Sequence, residues 1–208
     1  MGYITDVKLN NRKKKVSIYI DHSYSFSLDK ETAIHAGMQK GKEIPEYEID
    51  ELKRSSHKQE CLNAALNFLG YRPRSELEVR LRLRRRGFDE EAVNEAIVRL
   101  KRQSLIDDLA FAQYWKENRL SFRPKSKKLI KRELLQKGIS SEIAGDVVDD
   151  VNDEESAYKV AQKKARTLTT LDYNEFRNRL AGFLRWKGYS YDIIEGVTSR
   201  LWQEKHAK

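Results

Sequence analysis

One phrase occurs twice in this chain. Leu69-Gly70-Tyr71-Arg72-Pro73-Arg74-Ser75 returns 51 residues later as Leu120-Ser121-Phe122-Arg123-Pro124-Lys125-Ser126. In each copy a glycine follows the serine by 12 residues, Gly87 and then Gly138, and Gly188 stands 50 residues beyond the second. A fixed period of this length marks a repeat architecture, in which each copy is one small unit that completes its core against its neighbours. The period predicts three copies of one helical unit from about Lys58 onward.

Aligning the copies on their glycines decides the secondary structure. Read alone, Leu77-Glu78-Val79-Arg80-Leu81-Arg82-Leu83 alternates like a strand, but its counterpart Lys128-Leu129-Ile130-Lys131-Arg132-Glu133-Leu134-Leu135 does not. Apolar positions common to all copies are Val79/Ile130/Leu180 and Leu83/Leu134/Leu184, four apart, which is the spacing of one helix face. Each glycine then reads as a helix stop, where positive φ is cheap. A large apolar residue follows (Phe88, Ile139, Tyr189), then a candidate N-cap (Asp89, Ser140, Ser190). The next helix carries the same buried stripe each time: Ala92, Val93, Ala96, Ile97, Leu100; Ile143, Ala144, Val147, Val148, Val151; Ile193, Ile194, Val197, Thr198, Leu201. Only Thr198 departs from apolar. The first helices are less alike, at about Lys58–Leu69, Leu109–Leu120 and Glu154–Leu168. The expected fold is mainly α, with three tandem three-helix, helix-turn-helix-like repeats at 58–106, 107–152 and 153–208.

Residues 1–57 read as a separate β-rich segment with short helices. Val16, Ile18, Ile20 and then Tyr24, Phe26, Leu28 alternate with polar residues, the mark of half-buried strands. A small antiparallel sheet is expected over about Tyr3–Leu9, Lys15–Asp21 and Ser23–Leu28, with turns at Asn10-Asn11-Arg12-Lys13 and Asp21-His22-Ser23. Asp29 should cap a short helix that stops at Gly37. Helical patterning resumes at Ile49, and Ser55-Ser56-His57 should interrupt it before the first repeat. Gly37-Met38-Gln39-Lys40-Gly41-Lys42-Glu43 lacks the spacing of a phosphate loop and the Ser or Thr after its lysine, so it reads as an ordinary turn.

Charge is segregated along the chain. Lys plus Arg number 41 against 32 acids, a net +9, which points to nucleic acid or an acidic partner surface. Residues 72–86 hold seven basic residues and two acids, 119–137 hold eight and one, and 138–158 hold seven acids and no Lys or Arg. One reading is solvation: basic residues late in a helix and acids early in one suit the macrodipole. The other is a binding face, since repeats place equivalent residues at a regular step. On that reading Arg80 and Lys131, with Arg84 and Lys127 a turn away, form a stripe for phosphates or carboxylates. Within the phrase, Pro fixes the helix entry, Ser caps it, and Ser75 with Glu78 makes a capping box. Capping leaves Arg72 and Arg123 unexplained. The candidate partner-binding set is Arg72, Arg74, Arg80, Arg84, Arg123, Lys125, Lys127, Lys128, Lys131 and Arg132.

Nothing in the sequence reads as catalytic, cofactor-binding or metal-binding. His22, His35, His57 and His206 are scattered without ligand spacing, and Asp107-Asp108 and Asp149-Asp150 read as helix-end carboxylates. Cys61 is the one cysteine and reads as a buried inert thiol. No apolar run reaches membrane length, and the N-terminus lacks a signal-peptide core, so a cytoplasmic protein is expected.

Several stretches together carry a family resemblance. They are Ala64-Ala65-Leu66-Asn67-Phe68-Leu69 leading into Tyr71-Arg72-Pro73-Arg74-Ser75-Glu76-Leu77-Glu78-Val79; Arg86-Gly87-Phe88 with Ile97 and Leu100; Leu105-Ile106-Asp107-Asp108-Leu109-Ala110-Phe111-Ala112; and Lys131-Arg132-Glu133-Leu134-Leu135-Gln136-Lys137-Gly138-Ile139. The chain resembles the RecX family, bacterial regulators of the RecA recombinase, most clearly from Lys58 to Val151. Its N-terminal strands resemble an extra segment of some members. The resemblance implies three three-helix repeats in an elongated curved array, a monomer lodged in the groove of the RecA–single-stranded DNA filament. It implies modulation, mostly inhibition, of ATP hydrolysis, strand exchange and co-protease activity in homologous recombination, DNA repair and the SOS response, with no catalytic residues. The alternative is a stand-alone DNA-binding module that uses the basic second helices. The third copy lacks the Arg-Pro phrase and has Thr170-Leu171-Asp172-Tyr173-Asn174-Glu175-Phe176 in its place.

Overall fold

The structure, a computed structural model, describes residues 2–10 and 15–206. The expected turn at Asn10-Asn11-Arg12-Lys13 lies, after Asn10, outside the described residues. The chain divides into two compact units, Met1–Arg72 with Val79–Gln103, and Pro73–Glu78 with Ser104–Lys208.

In the first unit, β1 (Gly2–Asn10), β2 (Lys15–Ile20), β3 (Ser23–Asp29) and β4 (Glu43–Ile44) form an antiparallel sheet in the order β3-β2-β1-β4. Period-two alternation buries Val16, Ile18, Phe26 and Leu28, and the register sets Val16 opposite Leu28 and Ile18 opposite Phe26. Strand β4 was not expected, because two residues carry no period; it is made by pairing Ile44 with Gly2. The Gly37–Glu43 stretch is a turn with φ of 59° at Gly37 and 87° at Gly41. It folds back on β1 through Gly41 N–H to Ile4 C=O at 2.8 Å. Asp29 stands at the N-cap of α1 (Lys30–His35), but its carboxylate caps nothing.

Helix α2 spans Glu46–Leu69 without the expected interruption at Ser55-Ser56-His57. Low helix propensity there costs only a few tenths of a kcal/mol per residue, and tertiary bonds outweigh it. Ser56 Oγ donates to Ser27 C=O, His57 Nε2 meets Asp89 Oδ2 at 2.9 Å, and Lys58 Nζ meets Glu91 and Glu95 at 2.8 Å each. Cys61 is fully buried, and burial pushes its thiol up to about 11, as fits an inert core residue. Helix α4 (Glu90–Arg102) buries its whole predicted stripe and is capped by Asp89, which accepts from Ala92 N–H at 2.8 Å.

Helix α3 (Glu76–Arg84) is indeed helical, with Val79 and Leu83 buried. The second unit continues with α5 (Asp108–Phe122), α6 (Lys127–Gln136), α7 (Ser141–Val148), α8 (Asp153–Ala165), α9 (Tyr173–Trp186) and α10 (Tyr191–His206). Phe111, Ile130, Leu134 and Val148 belong to one buried cluster, and Phe176, Leu180, Leu184 and Leu201 to another.

Within the second unit one kind of seat is built twice, each time between the start of one repeat's second helix and residues of the repeat that follows. In the first, Ser75 Oγ donates to Lys137 C=O at 2.7 Å, Glu76 N–H donates to Asp108 Oδ1 at 2.9 Å, and Lys137 Nζ pairs with Glu78 Oε1 at 2.7 Å. The predicted capping box is present, with Ser75 Oγ accepting from Glu78 N–H and Glu78 Oε2 accepting from Ser75 N–H. In the second seat Ser126 N–H donates to Lys187 C=O at 3.1 Å and Lys127 N–H donates to Asp153 Oδ1 at 2.7 Å. Each seat rests on a glycine. Gly138 and Gly188 have φ of 81° and 86°, and a Cβ would lie 2.6 Å from Leu77 Cβ in one and 2.5 Å from Leu129 Cγ in the other. Gly87 has φ of 86° but open space where its Cβ would point.

Gly87→Ala is therefore expected to cost only the left-handed backbone term, about 1 kcal/mol. Gly138→Ala and Gly188→Ala should cost roughly 1–3 kcal/mol more, because Leu77 or Leu129 must move. Denaturant unfolding of the three variants checks the order. Thr198 is 1% exposed, and among the described residues its Oγ1 has no hydrogen-bond partner. Thr198→Val should therefore raise stability by about 1 kcal/mol in the same assay.

Candidate functional site

The ten candidate cations divide by what they touch. In the first unit Arg84 forms a two-bond pair with Glu90 (2.5 and 2.9 Å), and Arg80 Nη1 donates to Asn94 Oδ1 at 2.6 Å. Both side chains reach forward onto the next helix, α4. Arg72 and Arg74 are half-buried in the phrase that leads into α3.

In the second unit Lys127 Nζ holds Asp149 at 2.7 Å, and Lys125 Nζ pairs with Glu133. Lys128, Arg132 and Arg123 are exposed and, with the half-buried Lys131, have no ion-pair partner among the described residues. These four carry the charge that the fold itself does not use.

The carboxylates behave as helix-end groups. Asp107 caps α5 by accepting from Ala110 N–H at 2.9 Å, and Asp108 serves the first seat. Asp149 and Asp150 take Lys127 and Lys116, each at 2.9 Å or less. Among the described residues no three His, Cys, Asp or Glu side chains form a group that could hold a metal ion. No helix among them is long and apolar enough to cross a membrane.

Glu133 is the centre that the sequence did not reveal. Arg119 Nε meets its Oε2 at 2.6 Å, Trp115 Nε1 donates to the same oxygen at 2.8 Å, and Lys125 takes Oε1. Burial raises the Glu133 carboxyl, but these three bonds outweigh it and hold the group below its usual range. Arg119 and, across the second seat, Lys187 were both missed. Arg119 sits in a first helix whose copies differ, and Lys187 is legible only when compared with its counterpart Lys137.

Four family models match the chain. The Regulatory protein RecX N-terminal domain matches 2–45, and the first, second and third three-helix domains of RecX match 61–100, 107–148 and 152–198. The Regulatory protein RecX of Clostridium perfringens (strain SM101 / Type A) is 31% identical over 207 residues, 97% of each chain. That of Listeria welshimeri serovar 6b is 31% identical over 199 residues, 94% of this chain and 74% of the relative. A crystal structure of regulatory protein RecX superposes with a TM-score of 0.68 at 25% identity, covering 96% of this chain and all of that one. RecX from Lactobacillus salivarius gives 0.61 at 31% identity over 71% of this chain and 97% of its own.

Glu133→Gln should cost about 2 kcal/mol at neutral pH, because Arg119 and Lys125 lose their counter-charge. The folded pKa lies below the unfolded value of about 4.3. The contribution is therefore complete above that value and is lost as pH falls through the folded one. Wild type should lose this increment on acidification and the variant should not, as unfolding curves from neutral to acid pH would show.

Proposed function

We propose that this chain, which belongs to the RecX family, is a non-catalytic regulator that binds in the groove of the RecA–DNA filament. On this reading it inhibits ATP hydrolysis, strand exchange and co-protease activity, acting as a cytoplasmic monomer in recombination, DNA repair and the SOS response. The observation that carries the reading is the match of RecX models from residue 2 to residue 198, together with relatives named as regulatory proteins. Binding by Arg72, Arg74, Arg80, Arg84, Arg123, Lys125, Lys127, Lys128, Lys131 and Arg132 fits a filament that presents both acidic side chains and phosphates. The serines of the repeated phrase are left out of this set because both are buried in the seats.

A second reading, direct binding of DNA, is favoured by the unpaired Arg123, Lys128, Lys131 and Arg132. It predicts steep salt dependence on naked DNA, as cations that meet phosphates release counterions.

Adding the chain to a RecA–single-strand filament should slow ATP turnover, and the chain should sediment with the filament. Unchanged turnover without co-sedimentation would sink the filament reading. Arg72→Ala and Arg123→Ala should each weaken co-sedimentation roughly fivefold, about 1 kcal/mol, without unfolding the protein. Equal losses of stability and binding would reduce the phrase to architecture.

A further inference from the structure

The two seats differ at one position. In the first, the lysine before the glycine, Lys137, gives its ammonium to Glu78 at 2.7 Å. Glu78 stands nine residues before Gly87, and the residue nine before Gly138 is Leu129. The position that supplies a carboxylate to Lys137 in the first seat is therefore a leucine in the second, the seat of its counterpart Lys187. Lys187 is only 8% exposed. Among the described residues its ammonium has no hydrogen-bond acceptor and no ion-pair partner; it reaches solvent, with the ring centroids of Trp186 and Phe183 at 5.5 and 5.6 Å.

The surroundings add to the deficit of negative charge. Burial first, then the charges of Lys125, Arg123 and Arg119, hold the Lys187 ammonium below its usual value. Glu133 is already taken by Arg119 and Lys125. An ammonium that reaches solvent beside other cations, with no anion of its own, is a ready place for an incoming counter-charge. The counter-charge would also meet bare aromatic surface, since Trp186 is 72% exposed and Phe122, adjoining Arg123, is 79% exposed. Cations interleaved with exposed rings suit single-stranded nucleic acid, whose phosphates need the cations and whose bases stack on the rings. An acidic protein side chain would satisfy Lys187 but would leave both rings unused.

We propose that the second seat is a phosphate site for single-stranded nucleic acid. A backbone phosphate occupies the place of the missing carboxylate beside Lys187, Arg123 and Lys125, and neighbouring bases stack on Trp186 and Phe122. The site uses the end of α9, outside the basic second helices α3 and α6, and it does not depend on a recombinase partner.

The test is the anisotropy of labelled oligothymidylate titrated with the full chain at low salt, with no recombinase present. Lys187→Met and Leu129→Glu should each weaken binding roughly tenfold and shrink the slope of log K against log salt by about 0.7. Leu129→Glu leaves Lys187 in place and supplies the carboxylate of the first seat. Trp186→Ala should weaken binding at least about fivefold. Lys159→Met removes one charge from a lysine paired with Glu155 on α8 and should change affinity less than about twofold. If Leu129→Glu lowers the melting midpoint, Lys187→Met, which keeps the length of the apolar stem, decides once its own melting midpoint is shown to be unchanged. Equal effects of Lys187→Met and Lys159→Met would overturn the proposal. So would absence of oligothymidylate binding, or binding of a polyglutamate peptide in its place. None of these results bears on the filament ATPase, so the two readings fail separately.

Discussion

The second unit depends on a glycine whose Cβ position is already filled. At Gly138 and Gly188 the left-handed backbone turns the chain after a helix, and the hydrogen where a Cβ would stand lets a leucine from the preceding repeat pack against it. That approach brings the start of a basic helix within hydrogen-bond reach of the residue before the glycine. It also lets a carboxylate near the start of the following repeat, Asp108 or Asp153, take the free N–H at the helix start. Helix starts are places where the chain has donors to spare, and the seats turn that local need into a link between successive repeats.

This geometry gives the repeated phrase its meaning. Proline fixes the entry to the helix, and the serine is buried because its hydroxyl or its N–H bonds a carbonyl of the next repeat. Recurrence at a fixed period therefore comes mainly from construction. In the third copy Asp172 caps α9 locally by accepting from Glu175 N–H at 2.9 Å, and the phrase is absent. The cations within the phrase are not needed for the link. Lys125 is drawn into the Glu133 cluster, whereas Arg123 stays exposed.

Much of the fold was legible because its signals are periodic. The apolar stripes, the positive-φ glycines and the caps Asp89, Ser126 and Ser140 all follow from sequence spacing and recur in the structure. What escaped was long-range or too short to have a period. The strand β4 exists only through its partner, and α2 stays intact because Ser56, His57 and Lys58 bond residues elsewhere in the first unit. The site was less legible for a related reason. Charge runs mark where cations are but not which of them the fold consumes. Arg84 and Lys127, equal members of the expected stripe, are both paired with the helices that follow them.

Repetition also makes small departures informative. A lone buried lysine could be an accident of packing, but Lys187 has an internal control in Lys137. The two share the glycine that follows, the carbonyl that bonds the seat, and a nearby tryptophan, Trp115 at 4.1 Å in one case and Trp186 at 5.5 Å in the other. They differ in Glu78 against Leu129. With the glutamate present, the ammonium is neutralised within the chain and the capping box takes the Ser75 N–H. With leucine, the Ser126 N–H turns to the Lys187 carbonyl, so the seat still closes, and the ammonium is left without an anion. Replacing that one carboxylate therefore keeps the link between repeats while releasing a positive charge from structural duty. A fold built from repeated seats can acquire a binding site in this way at little structural cost.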